Sequence, residues 1–591
     1  MAKIKWMVAQ KKADFDALSE EFHIDKVLAR IIRNRGLTTS EEYDMFLNAG
    51  MDKLHDGRAM KDMVKAVDII KSKIKEDKKI RIIGDYDVDG ITATFILLKT
   101  LRKLGAKVDT VIPHRINDGY GLNDNLIMQA KEDGIDTILT CDNGIAATSQ
   151  IELANSYGMT VVVTDHHEVP YEIINDKKVS IVPPAAAVVD PKQGDCEYPF
   201  KGICGAFVAY KFAGIILEDN EEGLMRELLP FAALATVCDV MELLDENRVI
   251  VKAGLNEINN DPSNIGLKAL ILATGLQDKK IGAYHFGFIL GPAINSTGRL
   301  DTAQRALELF DSDSFREACM IATELKMLND ERKLLTEKGV DKASLLIDNG
   351  PYKNDKVLVI YLNDTHESVA GIIAGRLKEK YYRPTIVLTD AEDGIKGSAR
   401  SVESYDMYEE LNKVKDLFTR FGGHKMAAGV SLSDKDKADE LRRRLNENCV
   451  LNEADLCKVV RVDLAMPLSY ITGDLIKSFD LLEPCGTANP KPVFAVADVS
   501  ILSYKKVGRT RQIAKLIVAD AAGKRFDTVY FGSLEEFDAF LLDSFGRKKM
   551  DDMLSGRAQI NDSVIKMVYS PEINVYNNIE SIQIIMKYFD I

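Results

Sequence analysis

The chain has 591 residues, 46% of them hydrophobic and 28% charged, and a formal net charge of −14. This length predicts several globular domains, and the acidic balance excludes a wholly basic nucleic-acid coat while allowing a local basic channel. The eight cysteines include no Cys-x-x-Cys pair, so no zinc site or iron–sulfur cluster is expected and the thiols suit a reducing cytoplasm. No secretory signal and no apolar stretch of about 18 residues is visible, so no membrane partner is expected.

The N-terminal segment, residues 1 to 77, is predicted to be helical. His23 to Arg33 reads as an amphipathic helix, and Thr39-Ser40-Glu41-Glu42 resembles a helix start. A helical segment is therefore expected ahead of the first sheet.

Four short apolar runs between residues 80 and 170 each end at a cluster of polar side chains. Such runs, alternating with helical stretches, predict βαβ units and a parallel sheet covered on both faces. Ligands of such sheets bind beyond the carboxyl ends of the strands, so the four clusters should converge in one crevice. The runs are Ile80 to Gly84, Val108 to Pro113, Asp136 to Thr140 and Thr160 to Thr164, and the polar residues that follow them include Asp85, Asp87 and Asp89; His114, Arg115 and Asn117; Asp142 and Asn143; and Asp165, His166 and His167.

The crevice is predicted to bind divalent cations. Several carboxylates in one crevice repel one another and would not stay ionised without positive charge. Carboxylates with a minority of imidazoles and no thiolate favour Mg²⁺ or Mn²⁺ over structural zinc. Two such ions about 3.5–4 Å apart are the usual device for hydrolysing phosphoesters, so this is the leading reaction class.

A long helix and a second α/β unit are predicted to follow. Thr302 to Leu346 has Ala, Leu and Ile at helical spacing between charged residues, which predicts a rigid helix that bridges to the next lobe. From Lys356 onward, Val357 to Tyr361 predicts a strand and Ser368 to Lys380 predicts a helix. Glycines near the polar residues of this unit indicate that its backbone approaches a partner closely.

The C-terminal part is predicted to form an OB-like barrel, a fold that commonly binds single strands by stacking bases on aromatic side chains. Lys505, Lys506, Arg509 and Arg511 offer a local basic rim beside Tyr504. The five predicted strands are Val459 to Leu464, Val493 to Leu502, Arg511 to Ala519, Arg525 to Phe531 and Ser563 to Val568.

Four motifs resemble those of the DHH phosphoesterase superfamily: Gly84-Asp-Tyr-Asp-Val-Asp-Gly90, Cys141-Asp-Asn-Gly-Ile145, Asp165-His-His167 and Ala235-Thr-Val-Cys-Asp239. Within that superfamily, the chain most resembles the RecJ family of 5′ to 3′ exonucleases specific for single-stranded DNA. The segments that support this are Pro113 to Asn123, Asn295 to Leu300, His366 to Gly371, Gly397 to Ser401, Gly422 to Gly429 and Leu482 to Pro490.

The resemblance implies an α/β protein with a parallel-sheet DHH domain and a smaller α/β DHH-associated domain joined by a long helix, followed by an OB-like β-barrel. The DNA strand would lie in the cleft between the two α/β lobes. The predicted parts are an N-terminal helical segment (1–77), a DHH catalytic domain (78–300), a connecting helix (301–348), a DHH-associated substrate-binding domain (349–452), and an OB-like nucleic-acid-binding domain with the C-terminal segment (453–591).

The resemblance also implies roles for individual residues. Asp85 and His167 are expected to support catalysis, behind the metal ligands or against the substrate. Arginines are expected around a 5′-phosphate because a guanidinium grips phosphate with two hydrogen bonds. The implied metal ligands are Asp87, Asp89, Asp142, His166 and Asp239; the implied contacts to the 5′-phosphate and nucleic acid are Arg115, Arg299, Ser398, Arg400 and His424; and the implied OB-domain contacts are Lys505, Lys506 and Arg509.

One position departs from the family's pattern. The family has an arginine in a Gly-Pro-Arg setting before the Asn295 motif, whereas this chain has Gly291-Pro-Ala293. The change removes one positive charge from the phosphate-binding side and leaves the metal centre intact.

Each signal also has a purely structural explanation. An Asp-x-Asp-x-Asp-Gly sequence is found in ordinary turns and calcium loops, and Asp142 and Asp165 follow strands where aspartate often caps a helix. His166 and His167 are compatible with a buried structural pair, and the basic rim near Lys505 is compatible with a solvated turn. Their joint occurrence at strand ends favours a catalytic centre.

The resulting hypothesis is a metal-dependent exodeoxyribonuclease with two Mn²⁺ or Mg²⁺ ions per site. It would hydrolyse phosphodiester bonds of single-stranded DNA from the 5′ end and release 5′-mononucleotides, in DNA repair and recombination. Single-stranded DNA is the expected partner, with a single-strand-binding protein and a helicase as candidate protein partners. The alternatives are a phosphodiesterase of the same superfamily acting on short oligoribonucleotides or cyclic dinucleotides, and a non-catalytic replication scaffold.

Overall fold

A computed structural model describes residues 4–114, 121–174, 177–218, 220–300, 302–391, 394–508, 512–577 and 579–591, without the side chains of residues 177, 300 and 576. The predictions made for Arg115, Asn117, Arg509 and Arg511 therefore lie outside the described residues. The chain divides into a larger unit, residues 50–458, and a smaller unit, residues 5–49 with 459–591. None of the helices in the described part of the chain combines the length and apolarity that a membrane crossing requires.

The described residues form strands and helices that are numbered here in chain order. The strands are β1 (Ile4–Val8), β2 (Lys79–Ile83), β3 (Lys107–Val111), β4 (Thr137–Cys141), β5 (Thr160–Thr164), β6 (Tyr171–Ile174), β7 (Lys177–Ser180), β8 (Ala187–Val189), β9 (Leu358–Tyr361), β10 (Thr385–Ala391), β11 (Gly394–Arg400), β12 (Arg420–His424), β13 (Ala427–Leu432), β14 (Lys458–Val462), β15 (Leu464–Ala465), β16 (Phe494–Val507), β17 (Ile513–Ala519), β18 (Arg525–Tyr530), β19 (Val564–Tyr576) and β20 (Ile579–Asp590).

The helices are α1 (Phe15–Phe22), α2 (Lys26–Asn34), α3 (Ser40–Asn48), α4 (Met63–Lys75), α5 (Val88–Lys103), α6 (Asp124–Glu132), α7 (Thr148–Ser156), α8 (Gly205–Ile216), α9 (Glu222–Cys238), α10 (Asp245–Asn259), α11 (Ile265–Ala273), α12 (Ala283–His285), α13 (Gly291–Asn295), α14 (Thr297–Leu300), α15 (Gln304–Asp311), α16 (Phe315–Asn349), α17 (Glu367–Tyr381), α18 (Met407–Asn412), α19 (Asp436–Asn448), α20 (Gly473–Ser478) and α21 (Leu534–Ser555). A π-helical turn, Phe286–Leu290, joins α12 to α13.

The first sheet of the larger unit has the parallel order β3-β2-β4-β5-β8. Alternate side chains of its strands enter two separate cores: Ile82 and Leu139 pack with α5, α8 and α9, whereas Ile83 and Ile138 pack with α6 and α7. Apolar β-branched strands covered on both faces are typical of parallel α/β sheets. The predicted sheet is confirmed, and its strand ends bring the polar clusters to one edge.

The second sheet of the larger unit has the order β12-β13-β11-β10-β9, in which only β9 and β10 are parallel. The expected long helix is present as α16, and the predicted helical stretch from residue 302 to 346 is broken into α15 and α16. The break falls at residues 312–314, where the hydroxyl of Ser314 accepts a hydrogen bond from the backbone N–H of Glu317 and so starts α16.

The smaller unit contains a closed five-stranded barrel, in which β16-β17-β18-β20-β19 are neighbours and β19 also pairs with β16. The predicted OB-like barrel is confirmed, but the predicted strand set is wrong at one member. Residues 459–464 lie outside the barrel, with β14 paired to β1 and β15 added at the edge beside β16. The missing barrel strand is β20, whose residues Glu580 to Tyr588 partly alternate polar and apolar side chains.

The N-terminal segment differs from the helical prediction in two ways. First, residues 4–8 form the strand β1. Second, the segment is divided between the two units: residues 5–49 belong to the smaller unit, and residues from 50 onward belong to the larger one. The exact domain boundaries at 77, 300, 348 and 452 stay predictions.

Replacing Arg35 with methionine is expected to lower the free energy of unfolding of the smaller unit by about 3–5 kcal/mol. Arg35, at the end of α2, contacts two residues that precede the barrel strand β16. Its Nη1 lies 2.6 Å from Asp463 Oδ1, and its Nη2 donates to the Pro490 carbonyl at 2.8 Å. The side chains of Arg35 and Asp463 are each 7% exposed. Removing the cation leaves the Asp463 carboxylate buried and unpaired. Trp6 on β1 is the sole tryptophan, so its fluorescence during urea unfolding reports this unit.

The control for Arg35 is Lys26→Met, which removes an exposed ion pair with Asp16 in the same unit. Exposed pairs contribute little to stability, so the Trp6 transition should stay close to that of the parent. Equal urea midpoints for the parent and Arg35→Met would contradict the assigned role of Arg35.

Candidate active site

The turn after β2 carries three aspartates into the start of α5. Asp87 caps the helix, because its Oδ1 accepts hydrogen bonds from the backbone N–H groups of Asp89 at 2.9 Å and Gly90 at 3.1 Å. Asp89 therefore lies in the first helical turn. Glycine is needed here for close packing: a Cβ on Gly90 would lie 2.5 Å from the backbone nitrogen of Asp85, and one on Gly84 would lie 2.0 Å from a threonine hydroxyl of α5.

The amino end of α8 holds the carboxylate of Asp89. Its Oδ2 accepts from the N–H of Gly205 at 2.6 Å and its Oδ1 from the N–H of Ala206 at 2.7 Å. These are among the unpaired N–H groups at the positive end of a helix. A Cβ on Gly205 would lie 2.7 Å from the Cβ of Asp142. Gly205 thus lets α8 approach both aspartates, a role that the sequence analysis did not find.

One imidazole nitrogen of His166 faces carboxylates from three separate elements. His166 Nε2 lies 3.0 Å from Asp142 Oδ1, 3.4 Å from Asp89 Oδ2 and 3.6 Å from Asp239 Oδ2. Asp142 directly follows β4 with a left-handed φ of 60°, and Asp239 directly follows α9. The ends of β4, β5 and α9 and the start of α5 therefore meet at this point.

Asp165 orients the histidine pair. Its Oδ1 accepts from the backbone N–H groups of His166 at 2.7 Å and His167 at 3.2 Å and lies 2.7 Å from His167 Nδ1, while its Oδ2 accepts from the N–H of Ile145 at 2.9 Å. Burial would raise the pKa of Asp165, but the bond and charge of His167 hold it below its usual value. Burial likewise lowers the pKa of His167, and Asp165 outweighs this and raises it to about 9.

Burial and mutual repulsion raise the pKa values of the clustered carboxyl groups. The pKa of Asp85 and that of Asp239 each rise to about 8, first because of burial and then because of a neighbouring aspartate. The pKa values of Asp87 and Asp142 are raised for the same two reasons, and burial lowers the pKa of His166. Such a cluster is fully ionised at neutral pH only when positive charge is brought to it.

The donor atoms of this cluster fit divalent cations. Three groups have ligand atoms within 4.8 Å of one another: Asp89, His166 and Asp239; Asp85, Asp87 and Asp142; and Asp142, His166 and His167. Within the described part of the chain, three buried atoms of the cluster lack a hydrogen-bond partner: Asp85 Oδ1, His166 Nδ1 and Asp239 Oδ2. Oxygen donors with a minority of imidazole nitrogen suit Mn²⁺ and Mg²⁺. The structure thus brings together all seven residues named in the sequence analysis for the metal centre and its catalytic support.

The segment from Asn295 to Arg299 links this cluster to a second site. Asn295 Oδ1 accepts from the backbone N–H of Val88 at 3.1 Å, and a Cβ on Gly298 would lie 2.5 Å from the carbonyl oxygen of Tyr86. The next residue, Arg299, donates from Nη1 to the carbonyl of Ser368 at 2.9 Å. This segment therefore supports the aspartate turn and carries a guanidinium to the second α/β lobe.

That second site is a cleft of about 960 Å³ that contains Arg299, Ser398 and Arg400. Arg400 Nη1 donates to Ser398 Oγ at 3.1 Å, and a Cβ on Gly371 would lie 2.9 Å from that hydroxyl oxygen. Two acidic residues, Glu367 and Glu379, also line the cleft. Its basic residues are Arg299, Arg376, Lys380, Lys396, Arg400 and Lys458.

The sequence analysis missed four of those cations, Arg376, Lys380, Lys396 and Lys458. Arg376 and Lys380 are four residues apart on α17, and this spacing on one helix face is the signal that could have found them. His424 is placed differently: it is exposed at the end of β12 and is not among the cleft-lining residues. It lies two strands from Arg400, because both pair with Ala427.

Three other positions named in the sequence analysis are residue 293 and the lysines at 505 and 506. Ala293, at the position where the resemblance led to an arginine being expected, is fully buried and brings no charge to the site. Lys506 on β16 pairs with Asp538, whereas Lys505 lies opposite Lys515 on β17. The roles of Lys505 and Lys506 stay predictions.

Three family models match successive parts of the chain: the DHH family N-terminal domain over residues 79–236, the DHHA1 domain over 354–450 and the RecJ OB domain over 462–588. The single-stranded-DNA-specific exonuclease RecJ of Bacillus subtilis is 36% identical, covering 90% of this chain and 67% of that protein. The protein of the same name from Escherichia coli is 31% identical, covering 85% of this chain and 89% of that protein.

The solved structure of RecJ from Thermus thermophilus in complex with Mn²⁺ matches with a TM-score of 0.79 and 25% identity, covering all of this chain and 80% of that one. The three domain matches occur in one chain, and the similarity extends beyond any single domain. The chain belongs to the RecJ family of DHH phosphoesterases.

Proposed function

We propose that this chain is an exonuclease specific for single-stranded DNA, which hydrolyses phosphodiester bonds from the 5′ end and releases 5′-mononucleotides. The observation that carries the proposal is the Asn295 to Arg299 segment, which contacts the carboxylate turn at one end and the basic cleft at the other. A strand whose 5′-phosphate lies in the cleft would thereby present a backbone phosphate to the carboxylate cluster. The RecJ relatives are named single-stranded-DNA-specific exonucleases, and the 5′ direction and the mononucleotide product belong to the proposal.

We assign Asp87, Asp89, Asp142, His166 and Asp239 as the residues that hold two Mn²⁺ or Mg²⁺ ions. Asp89, Asp142 and His166 are buried and Asp87 and Asp239 are half-buried beside them. This clustering, the donor atoms and the manganese complex of the Thermus relative support the assignment. When bound, such ions polarise a phosphoryl oxygen and lower the pKa of water. Asp85 and His167 are assigned to the substrate side of the cluster, where His167 is the more exposed of the two histidines.

Arg299, Ser398 and Arg400 are assigned to the 5′-phosphate. A guanidinium donates two parallel hydrogen bonds to phosphate oxygens, and the Ser398 hydroxyl beside Arg400 adds a third donor. The function of these groups is to fix the end of the strand so that the first internucleotide bond lies over the carboxylate cluster. Arg115 and His424 are proposed members of the same path.

The OB-like barrel is proposed to guide the strand by stacking and charge, with Lys505, Lys506 and Arg509 as candidate contacts. A role in DNA repair and recombination, and binding of a single-strand-binding protein and a helicase, are proposed from the family. The eight cysteines are all free thiols, which supports a proposed location in the reducing cytoplasm.

Asp165→Asn is expected to lower activity, or the affinity for Mn²⁺, by about 10- to 100-fold, because groups that orient metal-binding histidines have effects of this size. The carboxylate of Asp165 holds His167 and both backbone N–H groups of the pair. The measurement is the Mn²⁺ concentration at half-maximal rate and the maximal rate itself. The control is Asp136→Asn, which lies before β4 at the opposite end of the sheet and pairs with Lys73. Parent-like values for Asp165→Asn would remove its positioning role.

The proposal as a whole is tested by a time course on single strands labelled at the 5′ or the 3′ end, as DNA and as RNA, in Mn²⁺. Prompt release of labelled mononucleotide from the 5′ end of DNA supports it. Turnover confined to short oligoribonucleotides or cyclic dinucleotides would contradict it and favour a small-substrate phosphodiesterase. An absence of any hydrolysis would favour the scaffold.

A further inference from the structure

Two aromatic side chains near the metal centre are stacked on each other and face solvent. The rings of Tyr284 and Phe288 lie 4.9 Å apart with an interplanar angle of 23°, and the residues are 61% and 67% exposed. The opposite side of the same segment is buried through Ala283, Phe286 and Leu290. The segment is thus anchored by one face while a pair four residues apart is presented on the other.

This segment packs against the end of α9, directly before Asp239. Cys238 Sγ donates to the carbonyl of Phe286 at 3.5 Å, and a Cβ on Gly291 would lie 2.3 Å from that sulfur. Chain geometry then places the backbone of Phe288 within about 15 Å of Asp239. The anchoring turn is π-helical, a form that is frequent at functional sites.

A second observation lies on the other side of Asp239. Val240 is 67% exposed and has a left-handed φ of 60°. A β-branched residue rarely adopts this conformation, and strained residues of this kind cluster at ligand-binding sites. An exposed apolar side chain therefore follows Asp239 in the chain, and the segment that carries the aromatic pair packs against Cys238, the residue before Asp239.

The charges near the pair suit a polyanion. Lys279 and Lys280 are exposed five and four residues before Tyr284, and Asp278 precedes them in the sequence. Aromatic rings with neighbouring cations are the usual composition of surfaces that bind single-stranded nucleic acid, because every base offers a π-face and every phosphate a negative charge.

We propose that Tyr284 and Phe288 form a stacking platform for an unpaired nucleobase of the substrate strand at the metal end of its path. This inference rests on the proposed function and adds a base-binding site to the phosphate-binding cleft. A base paired in a duplex is already stacked and cannot occupy the platform. The platform thereby contributes to the preference for single strands and holds the strand without reading its sequence.

The test measures the affinity of a fluorescent single-stranded oligonucleotide by anisotropy in Ca²⁺, so that hydrolysis does not interfere. Phe288→Ala is expected to weaken binding roughly tenfold, since stacking on one base contributes at this level. Phe288→Trp should keep the affinity, and Phe288→Leu, which is apolar without a π-face, should not. The matched control is Phe315→Ala, an exposed aromatic residue of the same unit.

A series of oligonucleotides with one abasic site at successive positions gives the second readout. The parent should lose affinity when the abasic site falls at the platform, and Phe288→Ala should be insensitive to that position alone. Unchanged affinity and an unchanged abasic profile in Phe288→Ala, with a parent that cleaves DNA, would overturn the platform and leave the exonuclease in place. A parent that neither binds nor cleaves single strands would overturn both.

Discussion

Asp142→Asn is expected to lower kcat/KM on single-stranded DNA by roughly a thousandfold or more, the equivalent of about 4 kcal/mol in transition-state stabilisation. Asp142 belongs to two of the three ligand groups, as does His166, and its Oδ1 lies 3.0 Å from His166 Nε2. Asparagine preserves the shape of the side chain but removes the charge that holds a cation. The measurement is the initial rate on a 5′-phosphorylated oligonucleotide at saturating Mn²⁺.

The unfolding temperature of the same variant shows whether a loss of activity comes from the catalytic site or from unfolding of the protein. Burial and the neighbouring aspartates raise the pKa of Asp142, so its ionised form destabilises the metal-free fold at neutral pH. Metal-free Asp142→Asn should therefore unfold at the same temperature as the parent or higher. The control is Asp136→Asn, at the other end of β4, which should keep full activity. Parent-like activity in Asp142→Asn would contradict the assigned metal centre.

Arg400→Met is expected to reduce the preference for a 5′-phosphate by about 10- to 100-fold, because hydrogen bonds to charged groups contribute about 1.5–3 kcal/mol. The guanidinium of Arg400 lies beside Ser398 Oγ in the basic cleft, so methionine keeps the stem and removes the donors. The measurement is the ratio of kcat/KM for 5′-phosphorylated and 5′-hydroxyl forms of one oligonucleotide.

The matched control for Arg400 is Arg420→Met. Arg420 is an exposed residue of β12 in the same sheet and does not line the cleft, so this variant should keep the parent's ratio. A ratio that stays at the parent's value in Arg400→Met would place the 5′-phosphate elsewhere.

The convergence of the carboxylates and histidines could be predicted from the sequence, because the signal for it is local. Each β-branched run ends beside its own carboxylates or histidines, and a parallel sheet necessarily brings those ends to one edge. The strands β2, β4 and β5 begin and end within one residue of their predicted bounds. What the sequence could not give is the pairing across long separations. The hydrogen bonds from Gly205 to Asp89 and from Val88 to Asn295 join residues that are more than one hundred positions apart.

The errors have physical causes of the same kind. The strand-like residues 459–464 do not indicate which strand they pair with. The sequence therefore predicts a barrel strand there, whereas β14 pairs with β1. The helical pattern from 302 to 346 continues across residues 312–314, and only the capping hydroxyl of Ser314 marks the break. His424 lies at the end of β12 and outside the cleft lining, and its glycine-rich motif does not specify this placement, which depends on strand pairing.

We expect the carboxylates at the strand ends to hold two cations, and anomalous diffraction from crystals grown with Mn²⁺ would locate these ions. Two peaks are expected, one within ligand distance of Asp89, His166 and Asp239 and one within ligand distance of Asp87 and Asp142. The second peak should be lost in Asp142→Asn. Peaks only at other places, or none at these carboxylates at millimolar Mn²⁺, would contradict this expectation.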